Sequence, residues 1–181
     1  MGVFITICAR MANCSFGKKR CRPAYVSGSG RKPAICSFAA AFCGFGKQRY
    51  LLAVDLGTDT IYVYNPEFTL LDTVSGLPEN CIKENTAAAI RVEGNRVFVS
   101  NRGWDNIAIF THQEGVLSPP VFVDAEGVSP RDFYVHGDLL LCANEGSDCV
   151  SVFDCQNGQM HSQKMHLQIP KPLCIVVKSE E

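Results

Sequence analysis

The segments "LLAVDLGTDTIYVYN", "VFVSNRGWDNIAIFT" and "LLCANEGSDCVSVFD" write one pattern three times along the chain. They align at Asp55-Leu-Gly-Thr-Asp59, Asn101-Arg-Gly-Trp-Asp105 and Asn144-Glu-Gly-Ser-Asp148. Each is preceded by an apolar run ("RYLLAV", "RVFVS", "DLLLCA") and followed by alternation ("TIYVY", "NIAIF", "CVSVF"). Alternation rich in β-branched and aromatic residues puts every second side chain on one face of a half-buried strand. The glycine can take a positive φ, and the aspartate two residues on can bond nearby backbone. The pattern therefore predicts a β-hairpin with a fixed turn.

The match extends beyond the hairpin. "AAAIRVEGNRVFVSN" and "RDFYVHGDLLLCAN" each place a strand and a glycine turn before it. "TLLDTVSGLP", "PPVFVDAEGVSP" and "HLQIPKP" add a strand and a proline-bearing link. The unit is four strands repeating at the spacing of propeller blades. Helical repeats would need apolar spacing of three and four, which these runs lack. The expected fold is all-β: a partial β-propeller of about three four-stranded blades, where closed propellers have about four to eight. "KPLCIVVK" reads as the opening strand of another blade, with no partner strands visible upstream.

Composition divides the chain. Residues 1–50 hold nine Lys or Arg and no acid, whereas the remainder holds all 18 acids against eight Lys or Arg. Half of the ten cysteines precede residue 44. The reading is an atypical basic, Cys-rich leader over 1–49, expected to be disordered or foreign to the repeat fold, and a propeller portion over 50–181. The net charge of −1 argues against a nucleic-acid partner. No apolar stretch reaches the ~18 residues of a membrane span, and "MGVFITICAR" lacks a basic leader and cleavage site, so the expected location is cytoplasmic. "MGVFIT" fits only the loose myristoylation pattern at Gly2. No cysteine pair has zinc-ribbon spacing, and no metal or cofactor is expected. "SGSGRKP" and "CGFGKQRY" lack phosphate-loop spacing. Cys142, Cys149, Cys155 and Cys174 are expected to pack as small hydrophobes. The oligomeric state is not readable.

The segments "LLAVDLGTDTIYVY", "LPENCIKENTAAAIRV", "VFVSNRGWDNIAIF", "SPRDFYV" and "LLLCANEGSDCVSVF" resemble the C-terminal part of the seven-bladed lactonase family over residues 50–178. That family includes propeller-type 6-phosphogluconolactonases and fungal carboxymuconate cyclases. Two departures stand out. Tyr64 runs straight into "NPEFTLLDTVSG", omitting one family blade, and residues 1–49 show no upstream blades.

The resemblance implies hydrolysis of a small anionic sugar lactone at a central channel lined by Arg, His and Glu. Arg102, in "SNRG", matches a family channel arginine and is the candidate catalytic residue. Arg131, in "SPRDF", and Asn85, in "ENTAAAI", are the candidate substrate-binding residues. An arginine fork suits a phosphate or an oxyanion. Ala87 and Ala88 would leave room near the axis. Glu145 takes the place of Arg102 in the next blade, but the resemblance assigns it no catalytic role. Asn101 and Asn144 are expected to form turns, and Trp104 to pack. His112, His136, His161 and His166 are expected in loops or link strands, and none matches a family histidine. The resemblance places the general acid and base in absent blades, so the portion present is expected to be inactive or impaired. The rival readings are a non-enzymatic propeller scaffold and a cyclase-like enzyme using the same arginines on a dicarboxylate. Arginines converging at the axis would favour a small anion; arginines splayed outward would favour the scaffold.

Overall fold

The computed structural model describes residues 3–9, 38–45, 48–155 and 159–179. Strands β1 (Val3–Ala9), β2 (Phe38–Phe45), β3 (Gln48–Asp55), β4 (Thr60–Tyr64) and β5 (Leu70–Ser75) come first. Next are β6 (Thr86–Glu93), β7 (Arg96–Arg102), β8 (Asn106–Gln113), β9 (Val116–Leu117) and β10 (Val121–Asp124). Last are β11 (Pro130–His136), β12 (Leu139–Asn144), β13 (Cys149–Asp154), β14 (His161–Gln168) and β15 (Pro172–Ser179). Among the described residues the helical content is one 3-10 turn, Glu145–Ser147.

Three antiparallel sheets follow the chain in order: β2-β3-β4-β5, β6-β7-β8-β10 with the short β9 on β8, and β11-β12-β13-β14. The opening strands lie side by side, β2 against β6, β6 against β11, and β11 against β15. The sheets therefore fan out from a shared inner row of strands, as propeller blades do.

Packing follows from the alternation in each strand. Val97 and Val99 of β7 point towards the first sheet and join Leu52, Val54 and Ile61 in one core cluster. Phe98, between them, points the other way and packs with Phe133, Leu140 and Phe153 of the third sheet. The middle blade is thus covered on both faces, and β7 is buried from Val97 to Asn101. β3 and β4 alternate buried with half-buried positions, because only one of their faces meets another blade. Cys142 and Cys155 sit in the same core as Phe98, as expected for thiols acting as hydrophobes. Burial pushes the Cys155 thiol up to about 11 and that of Cys142 higher still.

The composition break at Arg49 is not a boundary of the fold. β2, from the acid-free region, is the inner strand of the first blade, with Phe45 opposite Gln48 and Phe38 opposite Asp55. Its Ala39 and Ala41 pack against the first core cluster. Small side chains suit a strand near the axis, and acid content carries no information about that. β15 also has a partner: it pairs antiparallel with β1, Val3 opposite Ser179. The expected absence of an upstream partner is corrected by this pairing. Gly2 and the "SGSGRKP" segment lie outside the described residues.

The repeated turn joins blades rather than closing its own hairpin alone. Asp59, Asp105 and Asp148 have φ of 56°, 54° and 54°. The main-chain oxygens of these three accept from the N–H groups of Gly76 (2.7 Å), Ala125 (2.9 Å) and Ile169 (3.0 Å). Each carboxylate accepts the N–H of a residue at or just before the start of the next blade's first strand: Ala87, Ser129 and Lys171. The aspartate therefore carries the left-handed conformation and clamps the linker to the next blade. Of the three motif glycines only Gly103 has a positive φ, at 114°, and a Cβ there would collide with the Glu84 carbonyl. Asn101 and Asn144 perform a second linker contact. Their Nδ2 groups donate to the carbonyls of Gly76 (2.8 Å) and Ala125 (3.1 Å). Both asparagines are fully buried, so their role is to tie blades together rather than merely to turn the chain.

Asp132 links three inner strands. Its carboxylate pairs with Arg91 of β6 and accepts the Ile175 N–H of β15 at 3.0 Å.

His161 and His166 stand in β14, the strand before a linker, as expected, whereas His112 and His136 stand in β8 and β11 rather than in loops. His112, next to last in β8, is buried in the core, edge-on to Tyr50 with ring centroids 4.7 Å apart. Gly115 N–H donates to His112 Nε2 at 3.2 Å, so that nitrogen is the unprotonated one. Burial pushes the His112 pKa below its ordinary value of 6.5. The folded state then binds fewer protons than the unfolded state. The stabilisation is complete above pH 6.5 and is lost as pH falls from there through the lowered folded value. Thermal melts between pH 7.5 and 5 are expected to show a falling midpoint whose slope lessens in His112→Asn.

Candidate functional site

Antiparallel order sets which residues share an end of the blades. The start of each first strand, the end of the second and the start of the third lie together, with the linkers arriving from the preceding blade. Asn85 precedes β6, Arg102 closes β7, Arg131 is the second residue of β11, and Glu145 begins the 3-10 turn after β12. Lys171 precedes β15. All five therefore stand at one end, around the inner row of strands.

Arg131 reaches this position through a bulge. Pro130 pairs with Asn144 and Asp132 with Ala143, leaving Arg131 without a partner across the ladder. A bulge re-aims its side chain and is common beside binding sites. Arg131 Nη1 meets Glu145 Oε2 at 3.1 Å. β6 carries a bulge at the same end, between Ala87 and Ile90. There Ala87 is buried and Ala88 half-buried, so small side chains adjoin Arg102.

Arg102 Nη2 lies 3.4 Å from the Ala87 carbonyl, while its Nε is buried with no hydrogen-bond partner among the described residues. Burial lowers the Arg102 pKa, and the nearby positive charge of Arg131 lowers it further. Glu145 and Asp59 act in the opposite direction. The charges of the two guanidinium groups thus repel, and Arg131 is ion-paired with Glu145. An anion entering here would relieve that repulsion.

Asn85 is hydrogen-bonded to the neighbouring turn. Its Oδ1 accepts the Trp104 N–H at 3.1 Å and its Nδ2 donates to Asn101 Oδ1 at 3.4 Å. Both ends of its amide serve the turn. Trp104 is half-buried under Lys83, whose ammonium is 5.8 Å from the ring centroid. The indole Nε1 is buried without a partner among the described residues.

Glu145 and Lys171 are the residues that the sequence did not assign to the site. Lys171 Nζ donates to the Glu145 carbonyl at 3.2 Å and lies 3.5 Å from Asp148 Oδ1. The Lys171 backbone N–H, followed by its ammonium, holds the Asp148 carboxyl below the usual range. The recurrence of the motif did carry a signal, since Glu145 occupies the position of Arg102 one blade later.

The described residues include no group of three side chains able to hold a metal ion. A shallow hollow lined by His136, Asp138, Leu139 and Gln163 lies at the opposite end of the blades, away from the arginine pair. None of the described helical segments is long and apolar enough to cross a membrane.

Three fanned four-stranded blades define part of a β-propeller. The chain belongs to the family described as "Lactonase, 7-bladed beta-propeller", which it matches over residues 65–177. It is 30% identical to the 6-phosphogluconolactonase of Bacillus subtilis over 142 residues, covering 71% of this chain and 41% of that protein. It is 28% identical to an uncharacterized protein of Lactococcus lactis over 187 residues, covering 92% of this chain and 55% of the relative. A crystal structure of a protein from Lactobacillus plantarum superposes with a TM-score of 0.67 at 25% identity, over 72% of this chain and 42% of that one. The chain thus spans about half the length of these relatives.

Proposed function

We propose that the arginine-lined end of this chain binds and hydrolyses an anionic sugar lactone, with 6-phosphogluconolactone as the substrate. Family membership supports a lactone hydrolase, and the relative from Bacillus subtilis carries the 6-phosphogluconolactonase name. The observation that carries the reading is the placing of Arg102 and Arg131 at one end of the blades, with their charges repelling, Arg131 ion-paired with Glu145 and the Arg102 Nε unpartnered among the described residues.

In this reading water attacks the lactone carbonyl and the carbonyl oxygen gains negative charge. Arg102, partly withdrawn from water, donates to that oxygen. A donor already in place lowers the barrier without reorganisation. Arg131, more exposed at 44% of its side chain, takes the substrate's phosphate. Collapse of the tetrahedral intermediate breaks the ring C–O bond and leaves a carboxylate and a hydroxyl. The unbridged thiols of Cys81, Cys142, Cys149 and Cys155 support a reducing, cytoplasmic setting.

The test is lactone hydrolysis above the spontaneous rate. The wild-type chain should turn over 6-phosphogluconolactone faster than unphosphorylated gluconolactone, and Arg131→Ala should narrow that preference. No turnover of either lactone, or equal rates on both, would contradict the proposal.

A further inference from the structure

The proposed hydrolysis needs a group to take a proton from the attacking water. Most acids at the arginine end are committed elsewhere. Asp59 accepts the Ala87 N–H, Asp105 accepts from Ser129 and Gly103, and Asp148 from Lys171. Asp132 holds Arg91 and the Ile175 N–H. Glu84 is exposed on the linker.

Glu145 differs in its partner: Asp59, Asp105 and Asp148 accept backbone N–H groups through one oxygen, whereas Glu145 Oε2 meets the Arg131 guanidinium at 3.1 Å, and no contact engages its Oε1 among the described residues. Its side chain is 20% exposed, so water can reach it without surrounding it. Its backbone is fixed on three sides. Glu145 N–H donates to the Ser129 carbonyl at 3.0 Å, Gly146 N–H donates to that of Val128 at 2.8 Å, and the Glu145 carbonyl accepts from Lys171. The charges acting around it are those of Arg102, Arg131, Lys171 and Asp148.

We propose that Glu145 is the proton acceptor of this site, with Arg131 orienting its carboxylate. The assignment rests on the lactone reading above. A water proton passes to Oε1 as the water oxygen bonds to the lactone carbon. The carbonyl electron pair moves onto oxygen beside Arg102. On collapse the ring oxygen leaves with the carbon–oxygen pair and receives the proton back from Glu145, so the carboxylate is regenerated.

The experiment measures kcat/KM for 6-phosphogluconolactone against pH in wild type, Glu145→Gln and Glu145→Asp, with calorimetric binding of 6-phosphogluconate to each. Loss of a general base is expected to slow Glu145→Gln by about 10²–10⁴-fold. Its acid limb should disappear and its product binding should stay within a few-fold of wild type, while Glu145→Asp should keep the limb at reduced rate. A Glu145→Gln variant with wild-type rate and acid limb overturns the assignment and leaves the lactone reading intact. Equal losses of turnover and of product binding also overturn it, because they assign Glu145 to holding Arg131. A wild type with no turnover overturns the lactone reading and this assignment with it.

Discussion

Asp105→Ala is expected to destabilise the chain by about 3 kcal/mol, whereas Asp105→Asn should cost under about 1 kcal/mol. The carboxylate accepts the Ser129 N–H at 2.8 Å and the Gly103 N–H at 3.3 Å. Hydrogen bonds to a charged group contribute about 1.5–3 kcal/mol each when shielded, and less when exposed. Alanine removes both acceptors. It must also adopt φ of 54°, which an L-residue other than glycine, asparagine or aspartate resists. Asparagine keeps an oxygen in the same place and tolerates that φ. The main-chain bond from Ala125 N–H to the Asp105 carbonyl survives in both variants, which keeps the loss below that of unfolding the linker outright. Urea titration of the two variants measures the difference. Equal stability of Asp105→Ala and wild type would show that the repeated aspartate does not clamp the blades.

Arg102→Ala is expected to lower kcat on 6-phosphogluconolactone by about 10²–10³-fold, the range for removing one donor to a developing oxyanion. The cause is specific to a donor whose Nε is buried and unpartnered before substrate arrives. Arg102→Lys keeps a charge but not the planar fork, so it should recover only part of the loss. Arg131→Ala should raise KM, because its more exposed side chain binds the ground-state anion, and should lower kcat as well, because Glu145 loses the partner that orients it. The rise in KM separates the two arginines. A kcat unchanged in Arg102→Ala would remove this residue from the chemistry.

The strands and their grouping were legible in the sequence because period-two alternation in "TIYVY", "NIAIF" and "CVSVF" reports directly on which faces are buried. The turn was legible in position but not in mechanism. Sequence favours glycine for a positive φ, yet Asp59, Asp105 and Asp148 take it, because their carboxylates gain backbone N–H groups in that conformation. β2 was missed because charge and cysteine content change at Arg49, whereas an axial strand requires small side chains such as Ala39 and Ala41. At the site, Arg102 and Arg131 were visible as motif residues. The bulge that turns Arg131 towards Glu145 depends on pairing with β12, 14 residues away from that arginine along the chain for its ion-pair partner. No local pattern encodes such a bulge. Asn85 read as a substrate contact since it borders the inner strand, but its amide is held by Trp104 and Asn101.

The central claim is that Arg102 and Arg131 together form an anion seat. Calorimetric titration of 6-phosphogluconate into the wild-type chain and the Arg102→Ala/Arg131→Ala double variant tests it most directly. The account predicts saturable binding to wild type that weakens with added salt and vanishes in the double variant. Undiminished binding in the double variant, with circular dichroism showing the same strand content, would contradict it.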